Sequence, residues 1–173
     1  MGGRSPFGWT DPERATEATL KGPAMTDVAF DINKNTDIFR VHRASDLQAA
    51  PGQTQNARRI SGVSKENSAA DKLWFGKVYT GPGEISDAHH HGEAQTGGYV
   101  FKGRGFIRFG ERYSEIVYLE EGDFVFVPPF MPHIEGNASK TEELIWMTTR
   151  TPDNIVVNLA DQDVADLEID YKS

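Results

Sequence analysis

The sequence predicts an all-β fold, an antiparallel sandwich or barrel. Three observations carry that expectation. Short runs of strand-type residues recur at regular spacing from Thr36 onward. Glycine and proline punctuate the gaps between them. No window of about 12 residues before Ala160 shows convincing helical periodicity. A chain of 173 residues is one domain by length and long enough to bury a core without staples.

Residues 1–34, with Gly2, Gly3, Pro6, Gly8, Pro12, Gly22 and Pro23, read as a mobile N-terminal extension. A turn or two of helix is expected at most, over Asp11–Ala18, with Asp11 as N-cap and Pro12 at the first helical position. Residues 35–173 read as the folded domain. Its first strand is expected at Asp37–His42, followed by a turn at Ser45–Leu47 and a polar loop over Pro51–Asn56. Leu73–Thr80 has strand residue types, and Gly81-Pro82-Gly83 forces a turn. Gly98–Lys102 alternates, and Gly103-Arg104-Gly105 reads as a hairpin turn into Phe106–Phe109. Ser114–Leu119 alternates again. Phe124–Val127 is apolar on both faces and is expected to be a central strand. Leu144–Thr149 and Ile155–Leu159 complete the set.

Composition narrows the function classes. There are 18 Lys+Arg against 26 Asp+Glu, a net charge of −8, which argues against a general nucleic-acid or anionic-membrane binder. The absence of cysteine excludes disulfides, thiol nucleophiles and iron–sulfur clusters. No apolar run approaches the ~18 residues of a membrane span, and no signal-peptide core is present. A cytoplasmic protein is expected.

Two stretches carry the chemistry. The first is His89-His90-His91. On an extended strand His89 and His91 share a face and His90 points away, and two imidazoles at i and i+2 suit a transition metal. The second runs from Gly122 through Phe124–Val127 to Pro128, Pro129, Pro132, His133 and Asn137. Its prolines stiffen a turn that delivers one histidine at fixed geometry.

Together these stretches resemble the two motifs of the cupin superfamily. Gly83, five residues, His89-His90-His91 and a closing Gly103 match the first; Gly122, Pro128, His133 and Asn137 match the second in spacing. The resemblance covers the motif core, residues 73–159. It implies a single-domain cupin β-barrel of antiparallel jelly-roll type, with a metal bound by His89, His91 and His133. Two departures stand out. The glycine of the second motif is Phe130 here, so an aromatic side chain lines or lids the pocket. The acidic ligand of the first motif falls at Gln95 or Thr96, depending on how the loop is counted, and neither is a carboxylate. Gln95 is the favoured fourth ligand or orienting group, and Glu93, sharing strand parity with His89 and His91, is the substitute.

Three neutral histidines leave a divalent ion its full charge. Such a site favours anionic chelating substrates and keeps coordination positions open. The resemblance therefore implies an iron(II) dioxygenase acting on a small chelating substrate (aromatic, enolic or oxo-acid), with Gln95 or Glu93 orienting or deprotonating it. Zinc, nickel or manganese in a non-oxidative isomerase or lyase is the alternative, and a non-catalytic binding role is a third. Tyr99, Phe101 and Phe130 are expected to wall the pocket. Arg104, Arg108 and Arg112 read as exposed strand and turn charges. A homodimer or higher homo-oligomer is expected, pairing through the Thr36–His42 strand and the aromatic excess.

Overall fold

The computed structural model describes residues 39–52, 57–160 and 162–172. Residues 1–34, with the expected Asp11–Ala18 turn, lie outside these, as do Thr36, Asp37 and Ile38 of the expected first strand.

Within the unit beginning at Arg40, two sheets face each other across the core. The larger sheet contains β1 (Ala50–Pro51), β2 (Ala57–Val63), β3 (Trp74–Thr80), β5 (Gln95–Lys102), β8 (Phe124–Val127) and β10 (Leu144–Thr151). Its order is β1-β2-β3-β10-β5-β8, antiparallel throughout. The smaller sheet is β7 (Glu115–Leu119), β6 (Gly105–Phe109) and β9 (Ile134–Asn137), in the order β7-β6-β9. β4 (His89–His90) pairs with β11 (Val157–Asn158), and isolated bridges Ile85↔Gly136 and His89↔His133 fasten this ribbon to the β9 side. The result is a jelly roll whose sheets are not closed by a continuous hydrogen-bond ladder.

Alternation sets the core. β10 turns Leu144, Trp146, Thr148 and Arg150 inward, and β5 turns Thr96, Gly98 and Val100 inward. Val100, Ile107, Leu119, Leu144 and Trp146 pack together with Val78 and Val125. Each large apolar side chain so buried contributes about 1.5–3 kcal/mol. Gly105 is required here, because a Cβ at that position would lie 2.4 Å from Trp146 Cζ2.

Three expectations are corrected and one strand is added. Phe39–His42 carries no strand. The Gly103–Gly105 segment is a crossover rather than a hairpin, since β5 and β6 belong to different sheets and Gly103 adopts φ +88°. Phe124–Val127 is an edge strand, with Phe124 80% and Phe126 61% exposed. β2 was not anticipated: Arg58, Arg59 and Gly62 interrupt its apolar pattern, and it is held chiefly by its ladder to β3. The short helix α1 (Lys65–Ser68) that follows opens with a capping box between Ser64 and Asn67.

Arg104 and Arg108 are buried rather than exposed. Arg104 bonds the Asp170 carbonyl and its carboxylate and, at 2.9 Å, Glu120; Arg108 donates to the carbonyls of Tyr113 (2.9 Å) and Ala165 (2.6 Å). Arg112 pairs with Asp163 at 2.7 Å. The three arginines clasp the extended C-terminal segment against the smaller sheet and do not face the histidines.

Candidate metal centre

The histidine cluster is assembled by backbone pairing. The N–H groups of His89 and His133 each donate to the other's carbonyl at 2.9 Å, so the two residues lie directly opposite across an antiparallel bridge. Their side chains therefore leave the same face, and His91, two residues on, joins them. All three are at most 1% exposed, and one ring nitrogen of each lies within 4.8 Å of the others. His90 points away and accepts the Gly92 N–H at 2.9 Å, steadying the turn. Phe130 holds φ +58° in the proline-rich turn and donates its N–H to the Gly92 carbonyl at 2.7 Å, tying the two histidine-bearing loops together.

The tautomers follow from the partners. Nδ1 of His89 meets the Asp87 carbonyl at 3.0 Å, that of His91 the Ile155 carbonyl at 3.1 Å, and that of His133 the Met131 carbonyl at 2.8 Å. A carbonyl only accepts, so each Nδ1 carries the hydrogen and each Nε2 offers a lone pair. Nε2 of His89 and of His133 is buried without a partner, and Nε2 of His91 faces Arg150 Nη2 at 3.3 Å. Burial pushes the His91 imidazole down to about 2, helped by the Arg150 charge. Burial likewise pushes His133 down to about 4, helped by His89. Both rings are neutral at physiological pH. An unsatisfied buried acceptor costs about 1–3 kcal/mol, and two of them converge here. Three inward-facing imidazoles, each oriented by a backbone carbonyl, fit a divalent transition-metal ion.

Gln95 is exposed on the outer face of β5, and Glu93 is exposed before that strand begins. Thr96 faces inward, 4% exposed, with its Oγ1 buried and unpartnered. Gln95 and Glu93, expected to supply the fourth group, are both exposed, and of the two positions that the loop count allows it is Thr96 that turns inward. Tyr99 and Phe101 are displaced for the same reason. Tyr99 stacks on Phe124 (centroids 4.7 Å apart) and Phe101 lies under Lys77, both on the outer face of the larger sheet. Phe130 remains near the histidines, 63% exposed, its ring 6.0 Å from that of His90.

Sequence reading missed three inward-facing groups. Glu135 shares strand parity with His133, which was the signal available. Arg150 shares parity with Leu144, Trp146 and Thr148 on β10, a charged residue on a core face. Arg59 comes from the unanticipated β2. Two water-sized cavities of about 20 Å³ flank the histidines. Both are lined by Glu135 and Arg150; His91 and Thr96 line one, His89 and Arg59 the other. Ile107, Val125 and Val127 line both the first cavity and a larger adjoining apolar cleft of about 190 Å³ that reaches His133 and is rimmed by Phe126 and Met131. Asn137 is structural: its Nδ2 donates to the carbonyls of Thr80, Gly81 and Glu142 and its Oδ1 accepts from Ser139 N–H.

Two facing antiparallel sheets around an inward three-histidine cradle define a double-stranded β-helix with a site fit for a metal. Residues 76–150 match a family model described as a cupin domain. Solved structures agree on the fold. The polyketide cyclase RemF from Streptomyces resistomycificus superposes with a TM-score of 0.57 at 18% identity, covering 78% of this chain and 90% of that one. KdgF from Halomonas sp. gives 0.54 at 15% identity, over 65% and 94%. An oxalate decarboxylase from Lactobacillus farciminis, solved as a formate complex, gives 0.56 at 18% identity over 66% of this chain and 34% of its own length. No curated protein matches the chain. Among the described residues no helix is long and apolar enough to cross a membrane.

Proposed function

We propose that this protein is a metal-dependent enzyme, an iron(II) dioxygenase acting on a small chelating substrate with an apolar body. The observation that carries the reading is the donor set. Three imidazoles converge, and among the described residues no carboxylate joins them. An ion held by His89, His91 and His133 keeps its full +2 charge. What a bound iron(II) supplies is that charge, which favours an enolate or phenolate form of substrate, together with open positions for substrate and dioxygen.

The chain's own groups do the rest. The 190 Å³ cleft takes the apolar body and excludes water from it. Thr96 Oγ1 offers a hydroxyl beside the imidazoles. Glu135, lining both small cavities, is placed to receive the proton lost when a chelating substrate ionises. Oxygen consumption by the iron-loaded protein with catechols, β-diketones and 2-oxo acids tests the reading. Stoichiometric uptake with one class, diminished in Glu135→Gln, is expected; turnover that persists unchanged under nitrogen refutes it. Glu135 also favours a second reading, a non-oxidative isomerase or lyase using zinc, nickel or manganese, in which that carboxylate shuttles a proton.

We further propose that the protein is a homodimer that covers the outer face of the larger sheet. Phe75, Phe101, Phe124 and Phe126 are all exposed there, an apolar patch of the kind that marks an interaction surface.

A further inference from the structure

Arg150 is 7% exposed and lies inside the fold, a position that normally requires a paired charge. Three sides of its guanidinium are accounted for. Trp74 lies beneath it, 5.7 Å from ring centroid to Cζ. Asn154 Oδ1 accepts from Nη1. Nη2 rests against His91 Nε2 at 3.3 Å. Nε is buried and has no partner at all. Glu135 shares both flanking cavities with Arg150, yet among the described residues no hydrogen bond joins them.

Nε–H and the Nη2–H on the same side form the parallel pair with which arginine grips a carboxylate through both oxygens. In this protein that edge faces the histidines. One of its donors is unpartnered and the other is engaged only by the lone pair of a proposed metal ligand. Once His91 Nε2 serves an ion, both donors of the edge are released together. Arg59, with Nη1 also buried and unpartnered, stands along the second cavity and adds positive charge.

We propose that Arg150 is the substrate-binding residue that selects for a carboxylate, so that the substrate is a small organic acid: its carboxylate lies on the Nε–Nη2 edge and its apolar body occupies the 190 Å³ cleft. This rests on the metal reading above and narrows it, setting oxo acids above neutral diketones and catechols.

The test compares two probes of nearly equal shape, benzoylformate and 1-phenyl-1,2-propanedione, the second carrying a methyl ketone where the first has a carboxylate. Binding to cobalt(II)-loaded protein is followed by the visible cobalt spectrum and by calorimetry. Wild type is expected to prefer benzoylformate by about 30-fold, the range of a charge-assisted pair. Arg150→Met is expected to lose that preference to within about threefold while its affinity for the dione stays unchanged. Arg150→Lys keeps the charge without the parallel edge and is expected to lose at least about fivefold. No preference in wild type, or a preference that survives Arg150→Met, overturns the proposal. If Arg150→Met does not fold, the lysine variant decides: an undiminished preference overturns. Cobalt uptake by wild type reports the metal reading separately. If none occurs, Arg150-dependent binding of benzoylformate to the metal-free protein still supports the carboxylate site, and its absence overturns it.

Discussion

Lowering the pH from 7 to 5 is expected to destabilise the metal-free protein by about 4 kcal/mol, through His91 and His133. Their folded-state values, about 2 and about 4, lie below the ordinary 6.5. Between pH 6.5 and 4 the unfolded chain therefore binds protons that the folded chain refuses, and stability falls as pH falls. At pH 5 an unfolded histidine is almost fully charged, which favours unfolding by about 2 kcal/mol per residue relative to pH 7. Two such residues remove a large part of the roughly 5–15 kcal/mol that holds a typical domain together. The structural cause is specific: both rings are buried and their Nδ1 hydrogens are fixed on carbonyls, so a second proton on Nε2 would enter a buried cluster beside Arg150. Urea unfolding of the chelator-treated protein at pH 7, 6 and 5 measures the slope, with a His91→Gln/His133→Gln double variant as reference. A wild-type loss below about 1 kcal/mol, or the same slope in the double variant, refutes the reasoning.

Three further outcomes are expected. Asn137→Ala strips partners from three carbonyls and one N–H in a fully buried position, costing about 3 kcal/mol of unfolding free energy in a denaturant titration. Phe130→Gly relieves the left-handed backbone at φ +58°, a penalty of about 1–2 kcal/mol that glycine's greater chain entropy partly offsets, so the variant should melt no lower than wild type. Light scattering of the wild type should give twice the 19.2 kDa chain mass, and Phe124→Glu/Phe126→Glu should return it to monomer; a wild-type monomer contradicts the dimer.

The fold class and the histidine set were legible because each rests on local rules. Alternation within short strands and glycine or proline between them needs no knowledge of partners. The i, i+2 spacing of His89 and His91 fixes their common face once the segment is extended. What failed depended on facts the chain does not carry locally. Parity alone cannot say which face of β5 is inward, so Tyr99 and Phe101 read as pocket walls, while the strand in fact turns Thr96, Gly98 and Val100 inward. Phe124–Val127 looks like a buried strand because the outer sheet face is itself apolar. Arg104 and Arg108 look solvated until the C-terminal segment is seen to bring them carbonyls and a carboxylate. Arg150 sits outside the motifs in a threonine-rich strand, and only the inward parity it shares with Trp146 marks it.

The central claim is that His89, His91 and His133 hold a catalytic metal. Elemental analysis of protein purified without a histidine tag or chelator, alongside His89→Ala and His133→Ala, tests it most directly. About one iron per chain is expected in the wild type and none in either variant. Metal retained in both variants, or a wild-type protein that takes up no divalent ion when iron(II) is supplied anaerobically, contradicts it.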